Sequence, residues 1–143
     1  MVADIKDARG GVKTSLVWDF NRKFQKHDEI ERNFDNAFCI EVTDHFWDPV
    51  TAFQNVNFLL KPGGKFFISS NFLFPHHTGF DCTRYTSTGL QKILNETGFV
   101  VDNILARRAV DDMLESAMRK ESKVVYHPGE IGYMVEAHKN GSL

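Results

Sequence analysis

Three groups of residues in this 143-residue chain have types and spacing suited to binding or chemistry. Glu41 and His45 follow directly on an apolar run over residues 34–40. His76, His77, Asp81, Arg84 and Tyr85 share an aperiodic stretch, 71–85, that follows a second apolar run. Asp4 and Asp19 each close a short β-rich stretch, 2–5 and 14–18. Polar groups at the carboxyl end of a strand are where open parallel sheets bind ligands. His76 and His77 with Asp81 invite a metal reading. Adjacent histidines point in different directions, however, and no third ligand has suitable spacing, so no metal is expected. Arg84 and Tyr85 suit an acidic or sugar-like acceptor. Such an arginine also commonly anchors its own loop through an ion pair, here with Asp81. Asp19 could in the same way simply cap a strand–loop turn.

These residues need a scaffold, and the pattern between them supplies one. Residues 34–40 are almost continuously apolar, which suits a strand buried on both faces. Asp48 then precedes Pro49, an N-cap acid before proline at the first helical position. Val50, Phe53, Val56 and Leu60 follow at helical spacing. Lys61-Pro62-Gly63-Gly64 ends that helix and turns the chain into a strand over 65–70. A long loop at a strand's carboxyl end, 71–85, is often functional. Thr86 or Ser87 caps a second helix reaching Thr97, with Leu90, Ile93 and Leu94 inward and Gly98 as its stop. A strand over 99–107, a helix over 111–120 and a last strand over 131–138 complete the chain. Residues 22–33 are heavily charged and read as a solvated loop or short helix, and Arg107-Arg108 as a solvated pair. Alternating strands and helices predict an α/β fold. It is Rossmann-like, a mostly parallel sheet with helices on both faces and an antiparallel C-terminal edge.

Composition narrows the function further. The length suits one domain over 1–143. The net charge of −2 gives no footprint for nucleic-acid binding. No apolar run approaches the roughly 18 residues of a membrane span. Cys39 and Cys82 are too far apart in sequence to suggest a disulfide framework or a zinc spacing, so a reduced, cytoplasmic protein is expected. Thirteen Phe imply a bulky aromatic core or a lined pocket.

Three stretches together resemble the class I S-adenosylmethionine-dependent methyltransferases. The first is FDNAFCIEVTDHFWDP…FLLKPGGKFFISSN, the second DCTRYTSTGLQKILNETGF, the third the closing IGYMVEAHK. The resemblance implies S-adenosyl-L-methionine as cofactor. Asp4 would hold the ribose hydroxyls, since a carboxylate accepts two hydrogen bonds from a vicinal diol. Asp19 would accept from the adenine amino group, with Phe20 packed on the base. Glu41 and His45 would lie beside the methionine part and the acceptor. His45 or His76 would serve as base, and His77, Arg84 and Tyr85 would face a small-molecule or glycan-like acceptor. The family's first strand and its Gly-x-Gly-x-Gly loop have no counterpart here, because Gly10-Gly11 and Gly63-Gly64 do not open a helix after a strand. Either a fragment of a longer protein or a short degenerate relative fits, the fragment better. The alternative function is a non-catalytic binding or scaffold module, its exposed sheet centre covered by a second copy or a partner chain.

Overall fold

The computed structural model describes residues 3–4, 16–25, 33–74, 76, 79, 81–108 and 130–141. The elements run β1 (Ala3–Asp4), β2 (Leu16–Val17), β3 (Phe34–Cys39), a 3-10 turn (Thr43–His45), α1 (Pro49–Leu59), β4 (Leu60–Asn71), α2 (Ser87–Glu96), β5 (Phe99–Arg108) and β6 (Glu130–Lys139). The expected helix over 111–120 and the loop over 6–13 lie outside the described residues.

β1 and β2 form a two-stranded parallel sheet, with Asp4 opposite Val17. The other four strands form one sheet in the order β3-β4-β6-β5. β3 and β4 are parallel, and β6 is antiparallel to both its neighbours. The last strand of the chain therefore lies inside the sheet, and β5 forms the edge. The expected antiparallel region at the C-terminus is present as this pair.

Helix boundaries follow local chemistry. The Asp48 carboxylate accepts from the Thr51 amide at 3.1 Å, with Pro49 at the start of α1. The Thr86 hydroxyl does the same for Gly89 at 3.1 Å and opens α2. At the far end of α1 the Lys139 ammonium donates to the carbonyls of Asn57 and Leu60, both at 2.8 Å. A cation satisfies the orphan carbonyls there and ties the helix to β6. Burial pulls the Lys139 ammonium below its usual value. The Lys61-Pro62-Gly63-Gly64 turn is absorbed into β4 as an irregularity: Phe34 pairs with Leu60, and the register resumes at Asn36 with Lys65. Gly63 has φ of 74°, a conformation that costs glycine little.

α1 and α2 pack on the same face of the sheet. Ala52, Phe53 and Val56 of α1 and Leu90 and Leu94 of α2 bury against Cys39, Phe66, Ile68, Phe99, Tyr133, Val135 and Ala137. Aromatic rings form the spine of this core. Phe53 meets Phe46 and Phe66 edge-on at 6.1 and 5.8 Å, and Phe66 meets Phe99 at 5.0 Å. Most of the phenylalanine content thus goes into a core.

The segment before β3 departs from expectation at its start. Residues 22–25 form a loop in which Arg22, Lys23 and Gln25 are exposed, as expected, but Phe24 is not. Phe24 is buried, with Trp18, Phe20 and Phe58 around its ring at 5.0, 5.7 and 5.8 Å. The cause is Asn55 of α1. Its amide nitrogen donates to the carbonyls of Phe20 and Arg22, at 2.9 and 2.8 Å, and its oxygen accepts from the Phe24 amide at 3.1 Å. One buried side chain replaces the hydrogen bonds this stretch would otherwise need from a strand partner. Residues 26–32 lie outside the described residues.

Candidate functional site at the carboxyl edge

Parallel strands bring their carboxyl ends to one edge, so residues far apart in sequence converge there. β3 leads into Glu41, β4 into Asn71, and β5 ends at Arg107 and Arg108, on the same side as the other two.

Glu41 is the one non-glycine residue with positive φ among the described residues, at 53°. That backbone costs a side-chain-bearing residue roughly 1–2 kcal/mol and calls for compensation. Ser69 supplies it. Its hydroxyl oxygen accepts from the Glu41 amide at 2.8 Å and its proton goes to the Glu41 carboxylate at 2.5 Å. The Arg107 guanidinium pairs with the same carboxylate. Desolvation pulls the other way, but Ser69 and Arg107 hold the Glu41 carboxyl below its usual range. Arg107 is therefore not a solvated cation but half of an ion pair that spans from the end of β3 to the end of β5. Charge sign offered a signal in the sequence: an acid and a base each sit just past an apolar strand. Only the strand order could show that they meet.

The second assembly joins the 3-10 turn to the loop before α2. The Asp44 carbonyl accepts from the amides of Cys82 and Thr83, at 2.8 and 3.2 Å. The Thr83 hydroxyl donates to the Thr43 carbonyl at 2.9 Å. Tyr85 is buried, its ring 6.5 Å from Phe53 and its hydroxyl 3.4 Å from the Thr43 carbonyl. Burial pushes the Tyr85 hydroxyl up to about 12. Arg84 pairs with Asp81, at 2.5 Å for one contact, and lies 3.9 Å from the buried Asp44 carboxylate. Two carboxylates thus surround that guanidinium. His45 is half-buried, its Nε2 3.7 Å from Asp44. Asp44 had no sequence signal beyond its charge, yet it is buried at the centre of this assembly. Cys39 lies beneath it, and burial, with Asp44 adding, pushes the thiol up to about 12, so it is an inert core residue.

Outside the Arg84 ion pair lies a cavity of about 320 Å³ lined by Phe74, His76, Asp81, Cys82, Thr83 and Arg84. His76 is exposed there. His77 lies outside the described residues. Among the described residues no group of His, Cys, Asp and Glu is arranged to hold a metal, and no helix is long and apolar enough to cross a membrane.

The early acids occupy the ends of the small sheet. Asp4 closes β1, and Asp19 lies two residues beyond β2. The Asp19 carboxylate accepts from both the amide and the side chain of Asn21, each at 3.0 Å, and lies 3.6 Å from Arg22. It shapes a turn, leaving its outer oxygen near a guanidinium. Phe20 packs partly against the core. Asn21 reaches on to accept from the Asp48 amide at 3.1 Å, which joins this turn to the start of α1. Three buried oxygens close the picture: Thr43 Oγ1, Ser70 Oγ and Asn71 Oδ1 have no hydrogen-bond partner among the described residues. Such atoms at a ligand-binding edge are apt acceptors for a polar ligand.

Residues 17–68 match the family model described as a methyltransferase domain. No curated protein sequence matches the chain. Solved structures do. A methyltransferase from Methanosarcina mazei superposes with a TM-score of 0.61 at 14% identity, covering 91% of this chain and 68% of its own. The Haloferax volcanii methyltransferase solved with the Trm112 activator gives 0.61 at 15%, covering 90% and 62%. The Burkholderia thailandensis 1,6-didemethyltoxoflavin-N1-methyltransferase, solved with 1,6-didemethyltoxoflavin and S-adenosylhomocysteine, gives 0.60 at 17%, covering 96% and 60%. The chain thus spans about two-thirds of the length of these proteins. The chain has a methyltransferase-like fold, and residues 17–68 of it match a methyltransferase domain.

Proposed function

We propose that this chain, acting as one methyltransferase-like domain over 1–143, transfers a methyl group from S-adenosyl-L-methionine to a small-molecule or glycan-like acceptor. The observation that carries the reading is convergence. Asp4, Asp19 and Phe20, Glu41 and His45, and the loop with His76 and Arg84 all follow the carboxyl ends of strands. Asp4 closes β1 and Asp19 lies two residues beyond the neighbouring parallel strand β2, positions that suit two contacts to one nucleoside. The unpartnered oxygens of Ser70 and Asn71 fit a polar ligand at the same edge. When bound, the cofactor supplies a methyl on a sulfonium centre. The protein's share is to orient the acceptor, exclude water and accept a proton. His45 and His76 are the candidate bases, His45 turned by Asp44 and His76 on the rim of the cavity. That cavity falls at the lower end of the size of small-molecule sites. Arg84, held by Asp81, positions the loop and presents a neutralised rim, while Tyr85 braces it from below. Two free cysteines suit a reducing, cytoplasmic setting.

Titration calorimetry with S-adenosylhomocysteine tests this. Saturable heat that is lost in Asp19→Ala is expected. No heat from a folded sample at high protein concentration rejects the reading for this chain.

One observation favours a second reading, a binding module completed by another polypeptide. β3 ends the four-stranded sheet, with no strand beyond it among the described residues. In this reading the edge and the bare sheet face beside it are the functional surface.

A further inference from the structure

The stretch that carries Asp19 and Phe20 is held by two sets of hydrogen bonds that do different things. The first set is local. The Asp19 carbonyl accepts from the Arg22 amide at 2.9 Å, and the Asp19 carboxylate accepts from the Asn21 amide at 3.0 Å. These bonds close a four-residue turn, Asp19 to Arg22, from within. The Trp18 indole donates to the Arg22 carbonyl at 3.0 Å. The shape of the turn is therefore set by its own residues.

The second set is long-range and ties the turn to α1. Asn55 donates to the Phe20 and Arg22 carbonyls and accepts from the Phe24 amide, at 2.9, 2.8 and 3.1 Å. Both N–H groups of its amide and its oxygen are thus in use. Asn55 is 2% exposed, so water does not compete for these partners. Asn21 adds a smaller tie, its oxygen accepting from the Asp48 amide at 3.1 Å. The Phe24 ring, packed among Trp18, Phe20 and Phe58, also draws the stretch onto the core. Apolar contact has no direction, however, whereas a hydrogen bond constrains both distance and angle. What Asn55 adds to the packing of Phe24 is orientation. It grips the peptide groups that follow Phe20 and Arg22, one on each side of Asn21. It makes no bond to the Asp19 side chain, so its loss leaves that acid chemically unchanged and alters only where it stands.

We propose that Asn55 is the positioning residue of the nucleoside site. From 31 to 35 residues away it fixes where the Asp19 carboxylate and the Phe20 ring stand, and so sets the preference for a base that carries an amino group. This rests on the reading of Asp19 and Phe20 as the residues that meet the base of S-adenosyl-L-methionine. Asn55 itself touches no ligand.

Titration calorimetry on the full chain tests it, with S-adenosylhomocysteine and with S-inosylhomocysteine, whose base has a carbonyl where adenine has its amino group. Wild type is expected to prefer the adenosyl ligand by roughly 30-fold, because a carboxylate meets a carbonyl unfavourably. Asn55→Ala leaves a small polar space that water can fill, so the freed backbone groups keep partners without being held in place. We expect it to weaken the adenosyl ligand by roughly 10–100-fold and to bring the two ligands within about threefold of each other. A role confined to stability would lower binding of both ligands alike, and an unchanged preference overturns the proposal. A second readout is Trp18 emission in Trp47→Phe, where Trp18 is the remaining tryptophan. Adding Asn55→Ala should move that emission to longer wavelength with the far-ultraviolet dichroism unchanged; emission that does not move also overturns the proposal. Should Asn55→Ala fail to fold, Asn21→Ala at a half-buried position cuts the tie to the Asp48 amide, while the Asn21 backbone keeps its bond to Asp19. It should reduce the preference by about threefold, and no reduction counts against the proposal. Wild type that binds neither ligand rejects the methyltransferase reading and this proposal with it. Wild type that binds both equally leaves that reading standing and overturns the proposal alone.

Discussion

The two faces of the four-stranded sheet are made by alternate residues of the same strands, yet they differ in what they meet. On one face Phe66, Ile68, Tyr133, Val135 and Ala137 lie under α1 and α2 and are almost wholly buried. On the other face Phe38, Leu105 and Met134 stand exposed, Leu105 at 58% and Met134 at 53%. Leu105 and Met134 are directly paired across β5 and β6, and Met134 pairs with Ser69 on β4, so the apolar strip runs over several strands. Its margins are ionic. Lys65 pairs with Glu136, Asp102 with His138, and Arg107 with Glu41. Sheets with parallel strands are ordinarily covered on both sides. The difference teaches that composition alone does not mark a covered face: large apolar residues occur on both, and only the helices decide which is core.

Substitutions that strike each face measure that contrast. The largest effect belongs to Phe53→Ala on the covered side, because Phe53 is fully buried among Phe46, Phe66 and Tyr85. A loss of about 3–5 kcal/mol is expected in urea unfolding, with the slope unchanged. Next comes Gly132→Ala, within the sheet itself. A Cβ there would sit 2.3 Å from the Ser70 carbonyl, so β6 must move from β4. We expect a loss of about 1–3 kcal/mol, together with faster exchange of the amides in the β4–β6 pair.

Glu41→Gln probes the ionic margin and carries a pH signature. The folded carboxyl lies below its ordinary value of 4.5. Its contribution is therefore complete above about pH 4.5 and is lost as the pH falls further. The pair is partly solvated, so wild type should exceed the variant by at most about 1 kcal/mol at pH 7, and the gap should close below pH 4. A gap that widens on acidification would contradict the Ser69–Arg107 clasp. The smallest effect belongs to Leu105→Ser on the open face, within about 0.5 kcal/mol in dilute monomer. If Leu105→Ser cost as much as Phe53→Ala, the second face would have to be covered like the first.

Much of the frame was legible from residue pattern because it depends on local rules. Asp48-Pro49 and Thr86 start helices because their side chains accept from amides that helices always leave unpaired. Apolar runs bounded by polar and turn residues located β3, β5 and β6 to within a few residues, whereas β4 begins at Leu60, ahead of the expected turn, and β3 is not buried on both faces, since Phe38 stands exposed. The candidate site was legible only in outline. Position at a strand end marked Glu41, His45 and Arg84, and the Arg84–Asp81 pair was legible within its own loop, but the partners of Glu41 lie elsewhere in the chain. Ser69 reads as a small polar strand residue until it is found holding both ends of Glu41. Arg107 reads as a surface cation, Asp44 as one acid among several, and Asn55 as a helix-surface amide. Each acts through a contact 27 or more residues away, and no local pattern encodes that distance. Tyr85 reads as a residue facing the acceptor; here it is buried, beside the backbone of Thr43 and the ring of Phe53.

By itself the sequence determined which stretches become strands and helices, where the polar groups fall along them, and which methyltransferase-like pattern they follow. Those outcomes are set by side-chain period, capping chemistry and turn residues, all of which act over a few positions. Only the tertiary structure decided that β6 slots between β4 and β5, that Glu41 is clasped from β4 and β5 at once, and that one sheet face meets helices while the other presents Phe38, Leu105 and Met134. Strand order and burial are set by the competition of whole surfaces for contact, and that competition is settled only when the chain has folded.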